Sequence, residues 1–187
     1  MRNRLPRILL SLVVGSFGVA IGLYFGRFIA GGVGLLFASS RQALPLATST
    51  TWWAFVGLLS GLGLAFSAVT QRRVRFVAVS VVGFAVGGAI AAWPEISRLD
   101  RGTLQAALAV PLGGALAGLL AGLAARLKVR AVPMSIVGAL ATVVARPHLD
   151  ALIPPPDWIA LLVPGALLGA ALAALMPDNA IAPPPAE

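Results

Sequence analysis

Six long apolar runs, separated by short polar segments, set the pattern of the chain: residues 8–26, 52–70, 76–93, 106–125, 131–145 and 158–176. None of them holds an Asp, Glu, Lys, Arg or His. A helix needs about 20 apolar residues to cross the ~30 Å hydrocarbon core of a bilayer, because each residue adds only ~1.5 Å and the backbone finds no water to bond with. The pattern therefore predicts an all-α integral membrane protein, a bundle of six transmembrane helices. Its domain plan is a basic cytoplasmic N-terminus (1–7), the membrane domain (8–176) and a Pro-rich cytoplasmic tail (177–187).

Residues 28–38 form a further apolar run of 11 residues, and the basic residues decide whether it counts as a seventh span. Lys and Arg are retained on the cytoplasmic side during insertion. With six spans and the N-terminus inside, nine basic residues lie inside: Arg2, Arg4, Arg7, Arg72, Arg73, Arg75, Arg126, Lys128 and Arg130. Five lie outside: Arg27, Arg41, Arg98, Arg101 and Arg146. A seventh span would leave seven on each side and erase the asymmetry. Residues 28–38 are read instead as a short interfacial or re-entrant piece, since Gly31, Gly32 and Gly34 disfavour an isolated helix. The longest connection then runs from Arg27 to Thr51.

The tryptophans agree with this orientation. Trp52, Trp53, Trp93 and Trp158 all fall at outer ends of the spans, where amphipathic rings anchor at the headgroup level. The basic start and first apolar run also have the layout of a signal peptide. That run is 19 residues long, however, against the ~7–15 of a signal core, so it is expected to stay as the first helix.

Small residues four apart recur: Gly18, Gly22 and Gly26; Gly57 and Gly61; Gly83 and Gly87; Gly114, Gly118 and Gly122; Gly165 and Gly169. In lipid, where hydrophobicity no longer drives helices together, such faces let two backbones approach. They are expected to pack helices within the chain, with a homo-oligomer or a partner subunit as the other use. A shift of 55 residues superposes Arg73-Val74-Arg75 on Lys128-Val129-Arg130 and Val82-Gly83 on Val137-Gly138. The period is one helical hairpin, which suggests three tandem hairpins. Pro111, Pro133 and Pro164 are expected to bend their helices or to sit harmlessly in first turns.

Composition then narrows the chemistry. Of 187 residues, 59% are apolar and 11% charged, which excludes a soluble enzyme. The net charge of +8 is explained by membrane orientation, so nucleic acid is not an expected partner. The partners expected are the bilayer itself, with anionic lipids at the inner basic loops. With no Cys and one His, neither a zinc site of the usual kind nor a bis-histidine haem can be assembled, and no cofactor is expected. The spans offer no proton relay, no voltage sensor and no paired carboxylates. Gly15-Ser16-Phe17-Gly18 lacks the G-x-S-x-G order of a serine nucleophile turn.

The one concentrated group of ionisable residues follows the fifth run: Arg146, His148, Asp150 and Asp157. It is the leading recognition candidate, with His148 able to change charge near neutral pH and Arg146 able to hold an anionic group. Arg27 is the second. The fifth run, at 15 residues or ~22 Å, is short for a span, so its flanking arginines are expected to snorkel or the bilayer to thin. Two functional classes follow. One is a small permease or channel-type module for a neutral or amphiphilic solute, its cavity lined by Ser11, Ser60, Ser80, Ser135 and Thr142. The other is a non-transporting subunit or scaffold that packs on partner helices through its glycine faces. The location expected for either is a bacterial-type inner membrane with both termini cytoplasmic.

Overall fold

A computed structural model describes residues 4–67, 73–98, 103–125, 127–149 and 158–176. Six α-helices account for nearly all of them, and no strand occurs among the described residues. They are α1 (Arg4–Leu36), α2 (Ala43–Ser67), α3 (Arg73–Ile96), α4 (Leu104–Ala124), α5 (Ala131–Leu149) and α6 (Trp158–Leu175), with a 3-10 turn at Lys128–Arg130 leading into α5. Four of the helices are long and apolar enough to cross a membrane: Leu5–Leu36, Ala43–Phe66, Arg73–Ile96 and Ala107–Ala124. Residues Ala131–Val144 and Leu161–Leu175 are shorter apolar helices.

Each helix packs on the next, and α6 packs back on α1, so the six form a closed ring. The sorting of side chains is that of a body surrounded by hydrocarbon. On α1 the large residues Leu9, Val13, Phe17, Ile21 and Phe25 are all more than 40% exposed and recur every fourth position. They make one outward apolar stripe about 24 Å long. The small residues Gly15, Gly18, Gly22 and Gly26 of α1 face neighbouring helices. Gly18 meets the backbone of Leu59 and Ser60, and Gly22 that of Val56. In α5 and α6, Gly138 and Gly169 likewise face backbone, at Gly114 and Ser11.

Residues 28–36 are not a separate re-entrant piece: α1 continues through them to Leu36, and residues 37–39 form a turn. The glycines disfavour starting a helix, but here the turns are added to one already formed, which avoids the cost of nucleation. Gly34 also lets α2 approach, since a Cβ there would stand 2.6 Å from Thr48 Cγ2. The second helix begins at Ala43 rather than near Trp52. Ser40 Oγ caps it by accepting from Ala43 N at 3.1 Å, and Pro45 lies in the first turn, where its missing N–H costs nothing. Thr48 is tolerated inside because its hydroxyl donates to the Leu44 carbonyl at 2.8 Å. The long connection thus shrinks to residues 37–42.

The fifth helix extends four residues past Ala145, to Leu149, for a length of 19 residues. The added residues are Arg146, Pro147, His148 and Leu149, so the helix lengthens while its apolar part stays short, at Ala131–Val144. Trp52 and Trp53 lie about two turns inside α2 and are half-buried, so they pack against other helices rather than only anchoring at a surface.

Candidate functional site

The alternation of helix direction gathers the basic starts of α1, α3 and α5 at one end of the ring. Arg7, in the second turn of α1, donates through Nη2 to the carbonyl oxygens of Ala173 at 2.9 Å and Met176 at 3.2 Å. Arg130, just before α5, donates through Nη1 to the Leu175 carbonyl at 3.3 Å. The last carbonyls of a helix lack intrahelical partners and carry the negative end of its dipole, so two guanidinium groups are well placed there. Arg73 lies over the Phe66 ring at 5.2 Å, joining the end of α2 to the start of α3.

One turn further into the ring, Ser11 is completely buried, and its hydroxyl has no hydrogen-bond partner among the described residues. The other hydroxyls expected to line a solute cavity turn back on their own helices. Ser60 donates to the Val56 carbonyl at 2.7 Å, Ser135 to Val132 at 2.7 Å, and Thr142 to Ala139 at 2.8 Å. Ser135 is half-buried, with its hydrogen bond exposed. Ser80 is buried against Gly57 and Gly61 in the α2–α3 seam.

At the centre of the ring all six helices line one small cavity of about 20 Å³, through residues that include Leu23, Val56, Phe84, Ala117, Thr142 and Leu168. Its walls are apolar apart from Thr142, whose hydroxyl is already bonded to its own helix. Trp53 and Phe84 stack with ring centroids 6.3 Å apart at an interplanar angle of 28°. They separate this cavity from a smaller one of about 10 Å³ toward the Arg98 end, lined also by Ala91 and Val110. Gly88 makes room for the indole: a Cβ there would lie 2.6 Å from Trp53 Cδ1. The neighbouring Trp52 donates from Nε1 to the Leu23 carbonyl at 2.9 Å across the α1–α2 seam. The sequence singled out Trp53 only as an interfacial anchor, and nothing in its apolar, periodic pattern pointed to Phe84 or Ala117.

The glycines lie in the seams. Gly57 and Gly61 face Ser80 of α3, Gly114 and Gly118 face Gly138 and Met134 of α5, and Gly165 and Gly169 face Gly15 and Ser11 of α1. Gly26 faces Trp52, Gly83 faces Leu120, Gly87 faces Gly113, and Gly122 faces Ala131. Gly31 and Gly32, near the end of α1, have nothing within 4 Å of where a Cβ would be.

Arg146 and His148 fall in the last turn of α5 rather than in a loop, while Asp150 and Asp157 lie outside the described residues, as does the tail from Pro177. Arg27 is half-buried on α1, its guanidinium 4.6 Å from the Tyr24 ring centroid and 5.0 Å from that of Phe28. Flanked by two aromatic faces, its charge is held at the helix surface. Among the described residues no three His, Cys, Asp or Glu side chains gather to hold a metal ion. Compared with protein-family models, curated proteins and solved structures, the chain matches none.

Proposed function

We propose that the chain is a six-span membrane module of a bacterial-type inner membrane that carries no polar solute by itself and acts as a non-transporting subunit or scaffold. The observation that carries this reading is the small size and apolar lining of the axial cavity. Ser60, Ser135 and Thr142 spend their hydroxyls on their own helix carbonyls, and the axial cavity has room for little more than one water. A route for a polar solute needs converging donors and acceptors, and among the described residues the axial cavity has only Thr142, already bonded, while the unpartnered Ser11 hydroxyl lies outside its lining.

In this reading the three hairpins α1–α2, α3–α4 and α5–α6 surround the axis. The end bearing Arg7, Arg73, Arg75 and Arg130 faces the cytoplasm and its anionic headgroups. Because the seam glycines are occupied within the chain, a partner helix is offered the outer apolar surface and the open Gly31–Gly32 face. A permease for an uncharged, apolar solute is the second reading, favoured by the single cavity that all six helices share.

Proteoliposomes separate the two. A subunit leaves the flux of uncharged solutes of graded polarity, from urea and glycerol to short-chain alcohols, at the level of empty vesicles and co-purifies with a stoichiometric membrane partner in mild detergent. Saturable solute flux through the purified chain alone overturns the subunit reading.

A further inference from the structure

Six helices in a ring leave a central space that side chains must fill, and here the filling is uneven. Toward α1, α2, α3 and α6 the axis is occupied by Leu23, Val56, Phe84 and Leu168. Toward α4 and α5 the lining is of small residues, Ala117, Ala141 and Thr142 with Gly114, Gly118 and Gly138, and the three glycines are the residues that bring those two backbones together. Glycines that permit close approach in a seam contribute no volume to the axis, so a void remains beside them. Protein interiors are otherwise packed nearly without voids, and an apolar void stays dry because a water inside it would have too few polar partners.

We propose that this axial void is a binding site for one small, uncharged, apolar molecule of the size of a dissolved gas. Its size excludes a sugar, an amino acid or a lipid headgroup, and its lining offers such groups no hydrogen bond. Dispersion contacts with the walls are all it provides, and they suit an apolar guest that reaches it from the bilayer, where such molecules concentrate. Among the described residues α5 and α6 meet least closely, and both line the void. Of the seams around the ring, theirs offers the least packing for a guest to part. The Trp53–Phe84 stack closes the void toward the second cavity. The site does not depend on whether the chain is a subunit or a permease.

Xenon is the probe. The full chain, carbon-13-labelled at its methyl groups, is placed in nanodiscs of deuterated lipid and titrated with xenon pressure. The methyls of Val56, Ala117 and Leu168 are expected to shift and saturate, whereas those of the exposed residues Leu35 and Val82 drift linearly as xenon dissolves in the lipid. Ala117→Leu fills the void and should abolish the saturable component while the remaining spectrum stays folded. If that variant does not fold, Ala141→Val fills the same void with less added volume and carries the same expectation. Linear drift at every methyl of the wild type overturns the proposal, as does saturation that survives in the filled variants or a water cross-peak at the Ala117 methyl.

Discussion

Arg7 and Ala173 are 166 residues apart in the chain and 2.9 Å apart in space, joined by a hydrogen bond from Nη2 to the α6 carbonyl. This bond, with its companion to Met176, closes the ring where the first helix meets the last. Removing the side chain leaves partly buried carbonyls at the negative end of α6 without a cationic donor. Arg7→Ala is expected to lower stability by about 1–3 kcal/mol in thermal unfolding of the detergent-solubilised protein. Arg130→Ala removes a longer, solvent-exposed bond and should cost less than about 0.5 kcal/mol. Equal losses for the two variants would show that ring closure does not depend on the buried guanidinium.

Gly118 and Gly31 make opposite predictions from the same residue type. A Cβ at Gly118 would run into the Met134 carbonyl oxygen on α5, whereas one at Gly31 meets nothing within 4 Å. Gly118→Ala should cost about 1–3 kcal/mol by forcing two backbones apart, and Gly118→Leu should abolish monodisperse protein. Gly31→Ala should stabilise by about 0.5–1 kcal/mol through helix propensity alone. Size-exclusion profiles and melting temperatures read both. A Gly118→Leu variant with wild-type yield and monodispersity would contradict the close packing of α4 on α5.

What the apolar runs carried was the number, order and type of the helices, because a charge-free stretch of about 20 residues has few other fates. They did not carry the ends. Residues 28–38 read as a short interfacial or re-entrant piece and 43–51 as part of a connection, since a rule based on bilayer thickness stops counting where the bilayer stops, and Thr48 to Thr51 has a loop's composition. The cap at Ser40 and the proline at Pro45 were the local signals for an earlier start to α2. The axial cavity was not legible at all. Val56, Ala117 and Leu168 sit in helices that are apolar on every face, so polarity could not say which side points inward. Nor could the sequence weigh Arg146 and His148, whose place in α5 or in a loop depends on whether the helix outlasts Pro147.

Arg98 takes a positive φ of 52° immediately after α3, the conformation in which a helix commonly stops. A residue with a Cβ is strained there by roughly 1 kcal/mol, and glycine is not. Arg98→Gly is therefore expected to raise stability by about 0.5–1 kcal/mol, an unusual sign for replacing an arginine with glycine. Chemical denaturation in detergent measures it. A loss of stability of the same size would mean that the Arg98 side chain makes a contact worth more than the backbone strain.

Orientation can be tested with unusual economy, because the chain has no cysteine and each single-cysteine variant is its own reporter. Val74 and Val129 are both 84% exposed, at the starts of α3 and of the turn leading into α5. Ser39 is exposed in the connection between α1 and α2, at the opposite end of the ring. If the basic end faces the cytoplasm, a membrane-impermeant maleimide added to intact cells labels Ser39→Cys and spares Val74→Cys and Val129→Cys until the membrane is opened. The two valine positions carry separate information. Labelling of both from outside reverses the orientation but keeps the number of crossings. Labelling of only one breaks the alternation of helix direction, and with it the six-span arrangement on which the apolar axial cavity depends.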